Sequence, residues 1–303
     1  MGYFSLSPVI LSIGGRHAER YLQARLTNDV RLSSPTKALA IAALTPQGKT
    51  EAFGRLLRSP SGGFLLIIDG GAPVTIAQAV SRFKVAEQVE IKVEEDLAAL
   101  HLFGADAESI VTAFLGSAPL SPEDGNTLAL SEAPLTALTR RRRTTSQGLD
   151  LIAPTEKVAQ IREKLQCGSI PLLSPEEQEA LRLEAGIPAF PNDLNEAVIL
   201  SEVGAEDAIS FTKGCYTGQE VIAKIDALGK PPRRLTRLTA SGSHQILSGT
   251  AVTAAGKVVG KVTSAAFHRG LGQTLLFALL KNDGADYPEG LNVGDIPCSL
   301  AER

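Results

Sequence analysis

The chain contains no tryptophan, a single methionine and only 5% aromatic residues, so its core has to be built from aliphatic side chains. Cysteine is almost as scarce. Cys167, Cys215 and Cys298 are an odd set without CxxC spacing, which argues against a disulfide framework and for free thiols in a reducing compartment, the cytosol or an organelle matrix. Neither sign of charge dominates: 30 Lys and Arg face 33 Asp and Glu, a formal net charge of −3. No global field draws a polyphosphate backbone, and direct DNA binding is not expected. Long apolar runs are missing as well. The stretch from Leu275 to Leu280 falls far short of the roughly 20 residues a membrane span needs, and no basic region followed by a long apolar core opens the chain. His17, His101, His244 and His268 form neither HxxH nor HExxH, so no metal site is expected, and without GxGxxG or a Walker pattern nucleotide binding has no support.

What is present describes a globular chain. Its 303 residues, 44% hydrophobic and 21% charged, suffice for roughly two domains, or three small ones. Apolar spacing from His17 to Leu26 predicts a helix, ended by the turn formers Thr27, Asn28 and Asp29. Strands are predicted over Lys37–Thr45, Glu51–Arg58 and Phe64–Asp69, with turns at Pro46–Lys49 and Ser59–Gly63. A helix follows over Pro73–Lys84. Val89, Ile91 and Val93 then alternate with charged residues, the period of a half-buried strand. Ala98–Phe103 reads as a strand, Ala105–Leu115 as a helix closed by Gly116, Ser117–Thr127 as a loop, and Leu135–Ala153 as two strand-like runs. Ser174, Pro175 and Glu177 spell a capping box, and Gly186 with Pro188 stops the helix it opens. Hairpins mixed with helices indicate α+β layers. After Gly229–Arg234, which reads as a linker, short apolar runs broken by glycine predict a small β-barrel or sandwich over 235–303, set off from a larger region over 1–230.

The densest chemistry lies in Lys213-Gly214-Cys215-Tyr216-Thr217-Gly218-Gln219-Glu220. Two glycines bracket a thiol and free the backbone for a tight turn near a bound molecule. Lys213 would favour the thiolate through its charge. A packed, inert cysteine is the alternative reading. Arg140-Arg141-Arg142-Arg143 is the strongest basic run, and strand alternation sends Arg140 and Arg142 to one face, Arg141 and Arg143 to the other. Such a face can meet a carboxylate tail or RNA phosphates, or serve as a solvated edge strand. Cys167 and Cys298 are expected to be structural.

The segment Lys213–Glu220 resembles the signature of the YgfZ family, folate-binding relatives of the glycine-cleavage aminomethyltransferase. Leu26–Val30, the hairpin Leu44–Lys49, the helix end Arg182–Pro188 and Gly256–Ser264 resemble further family segments in the same order. The resemblance implies an aminomethyltransferase-like α+β fold of several lobes, two of them within 1–230, closed by the C-terminal β-barrel. It also implies tetrahydrofolate as cofactor and a role in assembling or repairing iron–sulfur clusters of client enzymes, including some that modify tRNA. Cys215 and Lys213 would be the reactive pair. Asp150 would orient the pterin, because a carboxylate can accept from adjacent N–H groups. Asn28, Asp29, Gly214, Gly218, Gln219 and Glu220 would complete the folate site, with Cys215 projecting into a central hollow. An aminomethyltransferase of the glycine-cleavage type is the alternative, but its carboxylate falls at Ala52 and Phe53, which cannot hold a proton. Glu51 would have to substitute for it. A scaffold with a degenerate folate pocket is the third reading. The transferases' companion arginine falls near Gln178.

Overall fold

In the computed structural model, residues 1–115, 127–132, 135–282 and 290–301 are described. Two five-stranded sheets and a closed barrel carry the chain. The first sheet runs Leu39–Leu44, Thr50–Arg58, Phe64–Ile68, Val9–Gly14 and Glu90–Val93 in spatial order. The second runs Gly2–Leu6, Leu97–Phe103, Gly148–Pro154, Leu135–Arg140 and Thr127–Glu132. Every pairing in both is antiparallel.

Side-chain alternation stacks these layers. On Phe64–Ile68, Phe64, Leu66 and Ile68 join the core beneath the helices Ala18–Arg25 and Pro73–Ser81, while Leu65 and Ile67 point the other way. There they meet Ala99, Ala137 and Ile152 of the second sheet. That sheet turns Leu100, Leu102, Leu149 and Leu151 outward onto the helices Ala107–Leu115 and Thr155–Cys167. The result is helices, sheet, sheet, helices, and both sheets are buried on two faces. Each such Leu or Ile is worth roughly 1.5–3 kcal/mol relative to exposure.

The segment after the second sheet returns to the first. Ser174 accepts from Glu177 N, Glu177 accepts from Ser174 N, and Pro175–Glu184 is the helix so capped. Leu194, Leu200, Ile209, Tyr216 and Ile222 then pack into the first sheet's core. The barrel runs from Arg233 to Leu300, in the order Arg233–Ser241, Gln273–Lys281, Lys257–His268, Ala251–Ala254, Leu291–Val293 and Ile296–Leu300. Its strand Gln273–Lys281 is buried on both faces: Leu276, Ala278 and Leu280 fill the barrel, whereas Leu275 and Phe277 pack outward against Leu183.

Most predicted elements are present within a few residues of their predicted ends. The strands Gly2–Leu6 and Val9–Gly14 and the helix Thr155–Cys167 were not predicted. The Gly116 stop and all of the 117–127 loop except Thr127 lie outside the described residues, and Thr127 opens a strand instead. Arg233 belongs to the barrel, not to a linker. Cys298 is buried, but Cys167 is exposed at the end of its helix, so packing does not explain it. Among the described residues no helix is long and apolar enough to cross a membrane.

Candidate functional site

Three segments that are remote in sequence converge at the thiol turn. Lys213 donates from Nζ to Leu26 O at 2.7 Å and to Asn28 O at 2.8 Å. Thr217 N donates to Ala24 O, and Ser210 N to Thr27 O. Gly218 rests on the Leu44–Lys49 hairpin, where an added Cβ would lie 2.7 Å from Thr45 O. Gly218 is left-handed with φ of 84°, which directs the chain into the helix Gln219–Leu228. Cys215 is exposed on this fixed turn, beside an exposed Gly214 at which a Cβ would meet nothing within 4 Å.

The predicted site residues divide by what they touch. Lys213 is buried, its ammonium is bound to backbone carbonyls, and burial pushes its pKa down to about 8. Its bonded partners are thus the Leu26–Asn28 backbone, a tie between segments remote in sequence. Asn28 donates to Ala40 O and Asp207 O and accepts from Asp29 N. Asp29 caps the short turn Val30–Leu32, and the Arg31 guanidinium holds its carboxyl well below the usual range. Gln219 accepts from Tyr216 N, and Glu220 is exposed in the first turn of its helix. These residues build and anchor the turn.

A separate cavity of about 200 Å³ lies where the two sheets and the helix Pro175–Glu184 meet. Its walls include Asp69, Arg141–Arg143, Gln178, Arg182 and Phe190. Cys215 does not line this cavity. Asp69 closes the first sheet's strand, and Arg141 and Arg143 follow the second sheet's strand Leu135–Arg140. Arg141 grips Asp69 with both terminal nitrogens, at 2.6 and 2.5 Å, and Arg143 reaches it at 3.0 Å. Arg143 also clasps Asp150 from Nε and Nη2, and Asp150 Oδ1 lies 2.8 Å from His101 Nδ1. Burial alone would raise both carboxyls, but Arg141 and Arg143 hold Asp69 below the usual range, and Arg143 with His101 does the same for Asp150. Asp150 is therefore ionised, and it holds Arg143 and His101 directly. Burial pushes the His101 pKa down, so the neutral ring donates from Nδ1.

Arg141 and Arg143 both reach Asp69 and Arg140 pairs with Glu108, but the strand ends at Arg140, and Arg142 lines the same cavity as Arg141 and Arg143 where alternation had placed it with Arg140. Arg142 is exposed, lines the cavity and has no ion pair among the described residues. Ala52 is fully buried in the core and Phe53 packs against it, so neither offers an acid. Glu51 is no substitute. Its carboxylate is buried between Arg25, which donates at 2.5 Å, and Arg82, whose Nη2 lies 2.6 Å from Oε1 outside hydrogen-bond direction. Asp69, Arg182, Asp193 and His101 were missed. The run of arginines was a signal for Asp69 alone, since buried guanidiniums need carboxylates nearby, and nothing local marks Asp193 as the partner of Arg182.

No family model matches the chain. It is 26% identical over 242 residues to a protein of Klebsiella pneumoniae named tRNA-modifying protein YgfZ, covering 78% of this chain and 70% of that one. A protein of the same name from Cronobacter sakazakii is 28% identical over 242 residues, with the same coverage. The chain is homologous to the YgfZ proteins. Its fold is that of the glycine-cleavage T-protein: the aminomethyltransferase T of Bartonella henselae superposes with a TM-score of 0.86 at 17% identity, covering 99% of this chain and 85% of that one. In this YgfZ homologue the family-like segments Leu26–Val30, Leu44–Lys49 and Lys213–Glu220 form one contiguous structure around the thiol.

Proposed function

We propose that this chain is a tetrahydrofolate-binding accessory protein that supports iron–sulfur clusters in client enzymes, among them enzymes of tRNA modification, with Cys215 as its reactive thiol. The observation that carries the reading is the cavity, walled by guanidiniums whose carboxylate partners fix them in place. Its volume is below the roughly 300–1,000 Å³ of drug-sized pockets, which suits a flat bicyclic head with the tail left outside. Phe4, Pro188 and Phe190 give it apolar faces. Gln178 donates its Nε2 to Leu173 O and keeps its carbonyl oxygen as an acceptor for a pterin N–H. Arg142, without an ion pair among the described residues, stands ready to meet the carboxylates of the glutamyl tail. These residues fit folate. When bound, folate would supply a one-carbon carrier and a reducible ring.

Cys215 supplies a soft sulfur to cluster iron, which is cargo here. As the thiol stands alone on its turn, the client or a further protein provides the other ligands. Free cysteines suit the cytosol. Aminomethyl transfer is disfavoured because Ala52 and Phe53 replace the acid and Glu51 is locked between two arginines. Calorimetric titration with 5-formyl-tetrahydrofolate tests the folate reading, with binding at micromolar levels or tighter expected. No binding at millimolar ligand overturns it in favour of a scaffold. A stably folded Cys215→Ala protein that fully sustains client cluster enzymes in a deletion strain overturns the thiol's part.

A further inference from the structure

Asp193 is fully buried, and four donors converge on it. Oδ2 accepts from Arg182 Nη1 at 2.7 Å and from Ala189 N at 2.8 Å. Oδ1 accepts from Thr263 Oγ1 at 2.5 Å and from Ser264 Oγ at 2.8 Å. The first oxygen thus holds the cavity wall, since Arg182 and Ala189 both line the cavity. The second holds the barrel. Adjacent residues on a regular strand point to opposite faces, and Thr263 and Ser264 share one acceptor only because the pairing register of Lys257–His268 shifts between Val262 and Ser264. A bulge that re-aims a side chain toward a buried carboxylate is a built feature of this interface.

Arg182 has a demanding position. It binds Glu179 with two nitrogens, donates to Asp193 and to Ile187 O, and lies 5.5 Å over the ring of Phe277 on the barrel. Glu179 lies on the same helix and moves with it, so it cannot fix Arg182 relative to the barrel. Asp193 and Phe277 do.

We infer that Asp193 is a positioning residue that couples barrel seating to the central cavity: the Thr263 and Ser264 hydroxyls orient its carboxylate, and the carboxylate orients Arg182 and the Ile187–Ala189 wall. By linkage, a ligand in the cavity tightens the barrel's seat by the same factor as the seated barrel tightens the ligand. The inference uses the folate reading for one of its two probes only.

The test compares the full chain with Thr263→Val/Ser264→Ala, which keeps strand bulk and removes both hydroxyls, and with Thr263→Ser, which keeps both. Without ligand, hydrogen exchange by mass spectrometry is expected to accelerate at least tenfold in the 187–194 peptide of the double variant. Peptides of the strand Phe64–Ile68 should be unchanged, and Thr263→Ser should behave as wild type. With 5-formyl-tetrahydrofolate, the double variant is expected to bind at least tenfold more weakly. Wild-type exchange at 187–194 in the double variant overturns the coupling whether or not folate binds. Accelerated exchange with wild-type affinity also overturns it, since Asp193 would then be a structural tie alone. Failure of the wild type to bind the probe overturns the folate reading, while the ligand-free exchange still decides the coupling.

Discussion

Gly218 and Gly48 pack against each other from two distant motifs, and neither has room for a side chain. A Cβ on Gly218 would lie 2.7 Å from Thr45 O and 3.2 Å from Gly48 Cα, and one on Gly48 would lie 2.9 Å from Val221 Cβ. Both residues have positive φ, 84° and 73°. Gly218→Ala therefore incurs roughly 1–2 kcal/mol for left-handed backbone and about 1–3 kcal/mol for overpacking. Gly214→Ala meets neither cost, because its Cβ would enter open space. Urea unfolding should show Gly218→Ala clearly destabilised and Gly214→Ala within about 0.5 kcal/mol of wild type. Equal midpoints for the two variants would mean that the turn does not bear on the hairpin.

The Lys213 ammonium links the turn to the Leu26–Asn28 backbone, and its burial gives a pH signature. Its folded pKa of about 8 lies below the unfolded value of 10.5, so the unfolded chain binds more protons between those limits. Stability must then rise with pH across that window, with the full cost of the buried charge present below pH 8. Lys213→Met removes the titration. The stability of wild type relative to Lys213→Met, measured by urea unfolding, should increase from pH 7.5 to pH 10. A constant difference would show that the charge is not desolvated.

Much of the fold was legible in the sequence because its signals are local. Ser174 and Glu177 cap a helix within one turn, and Val89, Ile91 and Val93 alternate over a few residues. Gly2–Leu6 and Val9–Gly14 were not legible for the opposite reason: only Ser7 and Pro8 separate them, yet one pairs with Leu97–Phe103 and the other with Phe64–Ile68. Nothing local records that switch between sheets. The site divides in the same way. The thiol turn was visible as a motif, but the carbonyls that anchor Lys213 lie 187 and 185 positions away and leave no local trace. Asp69, Arg143 and Asp150 come from two sheets, and Asp193 meets Ser264 across 71 positions, so their pairings exist only in the folded chain.

Glu51 distinguishes a catalytic acid from a structural one. It is bound to buried Arg25, which also donates to Leu44 O and Ala79 O. Removing one partner of a buried ion pair leaves the other charge uncompensated, at a cost of about 3–5 kcal/mol. Glu51→Gln should therefore lose stability of that order in urea, while folate affinity changes less than twofold at a temperature where it remains folded. Unaltered stability with abolished folate-dependent chemistry would restore Glu51 as a relocated acid.

The cavity's carboxylates predict its response to acid. Asp69 and Asp150 are held below the usual carboxylate range by Arg141 and Arg143, so their contribution is complete above the unfolded value of about 4 and is lost as pH falls toward their folded values. Asp69→Asn removes the carboxylate that Arg141 grips with two nitrogens and, among the described residues, leaves both arginines with Asp150 as their carboxylate. At pH 7 the variant should be less stable by about 3–5 kcal/mol, the range for breaking a buried pair. The gap should narrow below pH 4, where Asp69 of the unfolded chain takes up a proton that the folded chain still resists. Urea unfolding at pH 7, 5, 4 and 3 follows that convergence. A gap that widens toward pH 3 would mean that Asp69 is protonated in the folded chain at neutral pH, and that the arginines lining the cavity are held by something other than its charge.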